Sequence, residues 1–242
     1  EPYVRDQLWP EGAKVFASMI SRMDRDIGRI LSLLQELELE ENTLVFFLSD
    51  NGGPTSKNAS RNDPFSGVKG DVFEGGIRVP CIIDWPGVIR AGSVSDTPVH
   101  GVDYYATLLA MTGLPQQPEH HEDSVNLVPL LKGDTDFERG PMVWHYPVGV
   151  PHIAHSKPGS VIRKGDWKFL RFYEDGREEL YNLKDDIGET NNLARSMPEK
   201  TVELKTQLDA VLKAHNATIP TAVPAKPSRP ARKKKAKKED TQ

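Results

Sequence analysis

The apolar run Leu44 to Leu48 breaks, after Ser49, at Asp50 and Asn51 and then meets Gly52 and Gly53. A carboxylate beside a carboxamide offers hard oxygen donors of the kind Ca²⁺ or Mg²⁺ takes, and a glycine pair lets the backbone turn closely around an ion. The end of a strand in an open α/β sheet is where ligands sit. The same residues also describe an Asx-Gly turn closing a core strand, so the pair alone leaves both readings open. Further along, Lys69 is followed by Glu74, Gly75, Gly76, Arg78 and Pro80. This gathers a cation, an acid and a guanidinium around a second glycine pair ahead of another apolar run.

Three ordered segments, SDNGG at 49–53, KGDVFEGGIRVP at 69–80 and ELYNLKDDIGETNNLA at 179–194, together resemble the C-terminal half of the type I sulfatases, relatives of alkaline phosphatase. The resemblance runs to about Pro220. It implies that Asp50 and Asn51 bind Ca²⁺, with Mg²⁺ the lesser alternative, beneath the sulfate, and that Lys69 is the catalytic lysine contacting the sulfate oxygens. Glu74 and Arg78 are expected to stand behind these groups, the arginine fixing the glutamate or a ligand carboxylate through paired hydrogen bonds. His145, His152 and His155 lie where the family's C-terminal region approaches the substrate. Each is either a contact to a sulfated sugar, or an acid, or a structural histidine.

Sulfate-ester hydrolysis also needs a nucleophile. In the family this is a formylglycine made from Cys or Ser within a C/S-x-P-x-R motif near the N-terminus, and that motif is expected to lie outside this chain. Cys81 is followed by Ile82, Ile83 and Asp84 and reads as a buried thiol in a strand. The paired aspartates completing the family's metal site are expected outside the chain too. Asp185 and Asp186 read as a turn. Two readings follow: the C-terminal portion of a sulfuric ester hydrolase acting on an aryl or carbohydrate sulfate and inactive without an N-terminal segment, or a silent remnant binding sulfated polymer. A phosphodiesterase or phosphonate hydrolase of the same superfamily is a third.

The elements that would position these residues follow from periodicity. Apolar residues at helical spacing from Val15 to Leu37 predict a long amphipathic helix over about 11–39 that covers the core. A strand follows at Leu44, a second at Val79 to Trp85, and a helix capped by Asp103 runs to about Thr112. Strand candidates at 142–146, 160–163, 167–172 and 179–183 predict an antiparallel meander, covered by a helix starting at Pro198. The fold class is α/β, alkaline-phosphatase-like, followed by a small antiparallel sheet with a C-terminal helix. The expected divisions are 1–139, 140–219 and a basic disordered tail at 220–242.

Net charge is −4, but the eight Lys and Arg between Lys226 and Lys238 conceal an acidic body. Sulfate recognition must therefore come from locally placed cations rather than from the overall field. The tail lacks aromatic residues for stacking, so specific nucleic-acid binding is not expected. No apolar run approaches the length of a membrane span, and the single cysteine excludes an intrachain disulfide. The compartment is unreadable from the residues. The resemblance implies an exported or lysosomal protein.

Overall fold

The computed structural model describes residues 10–54, 62–148 and 157–220. His152, His155 and most of the basic tail lie outside them. Helix α1 (Glu11–Glu36) leads through a short 3-10 turn into β1 (Val45–Leu48). It stops at Glu36 because Glu38 takes φ +57, which ends helical hydrogen bonding. The expectation that α1 covers a core is corrected. None of its residues is buried, and Met19 and Ile30 are 64 % and 61 % exposed, since no described sheet packs over its apolar stripe.

β1 pairs antiparallel with β2 (Cys81–Asp84), Leu48 facing Cys81 and Val45 facing Asp84. The one-turn helix α2 (Glu74–Ile77) lies between them in the chain. This two-stranded sheet has little cover, which corrects the buried thiol: Cys81 is exposed, its Sγ 3.3 Å from the Tyr104 hydroxyl.

Helix α3 (Asp103–Met111) is not capped in the expected way, because Asp103 is its first residue and its carboxylate works outside the helix. It accepts the backbone N–H groups of His100 and Val125 and a two-pronged pair from Arg139, at 2.7 Å and 3.0 Å. Thr107 adds a second tie by accepting the Leu127 N–H at 3.0 Å, just ahead of α4 (Val128–Leu131). The His100 ring lies tilted against Trp144, centroids 5.2 Å apart, and burial, then the charge of Arg139, lowers its pKa.

The four-stranded sheet follows the meander, with β3 (Met142–Tyr146), β4 (Gly159–Lys164), β5 (Trp167–Phe172) and β6 (Glu178–Asn182) pairing in chain order. Alternation sends its residues to two faces. Ile162, Phe169 and Leu180 meet Leu204, Leu208 and Leu212 of α5 (Pro198–Ala214). Val161, Leu170, Phe172 and Tyr181 meet Val72, Phe73 and Ile187. The second face thus seats the segment that carries Lys69 and the Glu74 turn.

Asp103 is fully buried and Arg139 nearly so, and removing one member of such a pair strands the other charge. Arg139→Met is expected to destabilise the fold by about 3–5 kcal/mol in urea unfolding. A loss under about 1 kcal/mol would show that Asp103 is held by its backbone donors alone.

Candidate active site

β1 delivers Asp50 and Asn51 to a loop held by main-chain bonds. Gly52 N–H donates to Gly76 O at 2.9 Å, and Lys69 N–H donates to Gly53 O at 3.2 Å. The two sequence segments singled out for chemistry are therefore adjacent in space. Asn62 reinforces them: its side chain accepts from Gly53 N–H and donates to the carbonyls of Gly53 and Gly67. Sequence reasoning missed it, and an asparagine in a polar loop gave no signal.

The glycines here are required by close approach. A Cβ on Gly52 would sit 1.8 Å from Gly75 O, and one on Gly75 would sit 2.3 Å from Gly67 O. Asp50 and Lys69 are exposed, as a site open to an ion and an oxyanion needs. Asp50 accepts the Asn51 N–H through Oδ1. Asn51 turns its Nδ2 to Gly52 O at 3.0 Å, which leaves its Oδ1 as an acceptor without a partner among the described residues. Two hard oxygens in this arrangement fit part of a calcium shell, which takes six to eight. No cluster of three or more His, Cys, Asp or Glu able to hold a metal exists among the described residues.

Glu74 and Arg78 are placed differently from each other. Arg78 is half-exposed, 3.7 Å from Glu74 and stacked over Phe65 at 5.0 Å. Glu74 is buried, and its closer partners come from the four-stranded sheet: the Lys168 ammonium at 2.9 Å and the Arg163 guanidinium at 3.2 Å. The Glu74 N–H donates to Glu189 Oε2 at 2.7 Å, and Glu189 Oε1 lies 2.8 Å from the same ammonium. Burial holds the Glu189 pKa above the usual carboxylate range, opposed first by the charge of Lys168.

Glu189 is aimed by the turn that follows β6. Asp186 accepts the N–H groups of Thr190 and Asn191 and the Thr190 hydroxyl, and although its slight burial opposes it, those donors hold its pKa below the carboxylate range. Asp185 takes the Asn182 amide, so the two aspartates brace a turn, as expected. Next to Glu189, Gly188 O accepts the Ser66 hydroxyl at 2.6 Å.

His145 lies on β3 with both ring nitrogens engaged. Nε2 is 3.1 Å from Thr218 O, which can only accept, so Nε2 carries the proton and Nδ1 accepts from the Ser160 hydroxyl at 2.6 Å. Tyr173 Oη lies 2.6 Å from Ser160 Oγ and can donate in turn. A substrate contact through this histidine must displace Thr218.

The expected absence of a C/S-x-P-x-R motif needs one correction. The pattern occurs at Ser228 to Arg232, SRPAR, in the Lys- and Pro-rich segment outside the described residues. It follows residue 214, where the last helix among the described residues ends, whereas the family's motif lies near the N-terminus.

Two family models match the chain: Sulfatase over residues 6–114, and the C-terminal domain of N-sulphoglucosamine sulphohydrolase over residues 69–217. A sulfatase of Formosa agariphila is 35 % identical over 237 residues, covering 87 % of this chain and 41 % of that protein. The structure of Ps i-CgsB in complex with k-i-k-neocarrahexaose superposes with a TM-score of 0.73 at 26 % identity, over 89 % of this chain and 46 % of that one. BT4656, bound to D-glucosamine-2-N,6-O-disulfate as its substrate, gives 0.67 at 26 % identity, over 81 % and 39 %. The chain thus spans less than half the length of each.

Because Gly52 meets backbone rather than a movable side chain, Gly52→Ala is expected to cost about 1–3 kcal/mol in chemical denaturation. Gly28, whose added Cβ would meet open space in α1, is the control, and Gly28→Ala should not destabilise. Equal stability of the two variants would refute the close approach.

Proposed function

This chain belongs to the sulfatase family, with the alkaline-phosphatase-like fold of its structural neighbours, and we propose that it forms the anion-holding side of a sulfuric ester hydrolase acting on sulfated carbohydrate. One observation carries the reading. The main-chain bonds from Gly52 to Gly76 and from Lys69 to Gly53 tie the segment carrying Asp50 and Asn51 to the one carrying Lys69, and both Asp50 and Lys69 are exposed. The carbohydrate class is supported by the neighbours bound to a neocarrahexaose and to a glucosamine disulfate.

In this proposal Asp50 and Asn51 hold Ca²⁺ through Asp50 carboxylate oxygen and Asn51 Oδ1. A bound calcium ion would offset charge on the sulfuryl oxygens as a Lewis acid. Lys69 donates to the same sulfuryl group, and its charge counts most where negative charge grows on those oxygens. An acidic body gives no general attraction for anions, so the attraction rests on locally placed cations, Lys69 among them. The glycine contacts fix the loop beforehand, so little reorganisation accompanies the reaction. The formylglycine nucleophile and the remaining calcium ligands are assigned to residues outside the described ones.

Two substitutions test this in the polypeptide that unites this chain with the nucleophile. Asp50→Ala is expected to lose calcium, measured by mass spectrometry of the purified protein, together with turnover of an aryl sulfate. Normal calcium content in that variant would remove Asp50 from the site. Lys69→Ala should keep the ion and lose rate by roughly 10² or more. Unchanged turnover, or faster cleavage of an aryl phosphate diester than of the sulfate by the parent protein, would contradict the assignment.

A further inference from the structure

Lys168 is a lysine with no exposed surface in the middle of β5, on the face otherwise filled by Leu170 and Phe172. A buried ammonium is tolerated only with charged partners, and here it has two, Glu74 at 2.9 Å and Glu189 at 2.8 Å. Arg163, the cross-strand neighbour of Lys168, supplies a second cation to Glu74 at 3.2 Å. Two acids and two bases leave the pocket neutral, while Arg78 at its rim is farther away.

Everything this cluster grips belongs to the anion loop. Glu74 opens α2, and the next two residues are the glycines against which Gly52 packs. The Gly75 N–H donates to Ser66 O at 2.6 Å, the Ser66 hydroxyl donates to Gly188 O, and Gly76 O receives Gly52 N–H. From Lys168 to Asn51 there is thus a continuous path of an ion pair, one turn of helix and one main-chain bond.

We propose that Lys168 and Glu189 are positioning residues for the sulfuric-ester site: they clamp the Glu74 turn from the four-stranded sheet and so set the placement of Asp50, Asn51 and Lys69. This rests on the proposed function for the word site; the clamp itself stands on the ion pairs alone. Neither residue touches substrate or metal in this scheme. Their charge balance is what fixes the loop.

Amide hydrogen exchange on the full 242-residue chain tests the clamp without requiring activity. Lys168→Met leaves the pocket one negative charge in excess, and exchange at Gly52, Lys69, Gly75 and Gly76 is expected to accelerate at least about tenfold while Val161, Leu170 and Leu180 stay as protected as in the parent. Adding Glu189→Gln restores neutrality and keeps an acceptor for the Glu74 N–H, so the double variant should recover most of the protection. Should Lys168→Met fail to fold, Glu189→Gln alone carries the test, with the same loop amides loosened by an excess positive charge. Unchanged loop exchange would overturn the proposal. So would a uniform rise across loop and sheet, or a double variant no better than Lys168→Met, since each would make the cluster general packing and not a charge-balanced clamp. Retained metal and activity in Asp50→Ala would sink the functional reading while leaving this result standing.

Discussion

A buried carboxylate, Glu74, is the joint of this structure. Its side chain pairs with Lys168 and Arg163 from the four-stranded sheet, and its N–H is taken by Glu189 from the turn after β6. Three fully buried charges and the largely buried Arg163 cost several kcal/mol each to desolvate, and their mutual attraction roughly offsets that cost. Such a cluster adds little net stability, but it strongly disfavours any arrangement that separates its members. Apolar packing of Val72 and Phe73 against Leu170 and Phe172 supplies adhesion; the ionic contacts supply register.

The register matters because of what is attached to Glu74. Gly75 and Gly76 follow it directly, and they form the floor on which the Gly52 backbone lies. Asp50 and Asn51 directly precede Gly52 in the chain, and the Lys69 N–H is tied to Gly53 next to it. A glycine-lined contact of this kind has no slack. A displacement of the turn is passed on to the loop, since backbone meets backbone with no side chain between to absorb it.

Much of this was legible in the residues. The meander and its terminal helix follow from the run of short strand candidates between 142 and 183 and from the spacing of Leu204, Leu208 and Leu212. The SDNGG and EGG segments were legible as a site only through the ordered resemblance, since an acid, an amide and glycines alone also describe a turn. What the sequence concealed were contacts between distant positions. Lys168 pairs with an acid 94 residues away, and Glu189 with an amide 115 residues away. One signal was available: Lys168 occupies an inward position of an alternating strand, with Leu170 and Phe172 on the same face, where a lysine demands a buried partner. The helical period of α1 was equally plain, yet periodicity reports that a face is apolar and not what covers it, so its exposure could not be foreseen. Cys81 misled for the same reason, an apolar run being no guarantee of a second layer.

The central claim is that the oxygens of Asp50 and Asn51 and the ammonium of Lys69 address one tetrahedral anion. The most direct measurement is a crystal structure of the protein grown with calcium and sulfate, with the ion located by its anomalous signal. The claim predicts calcium about 2.3–2.6 Å from an Asp50 carboxylate oxygen and from Asn51 Oδ1, with a sulfate oxygen within hydrogen-bonding reach of Lys69 Nζ. Calcium bound elsewhere, or a sulfate on the ion with Lys69 turned away from it, would contradict the claim.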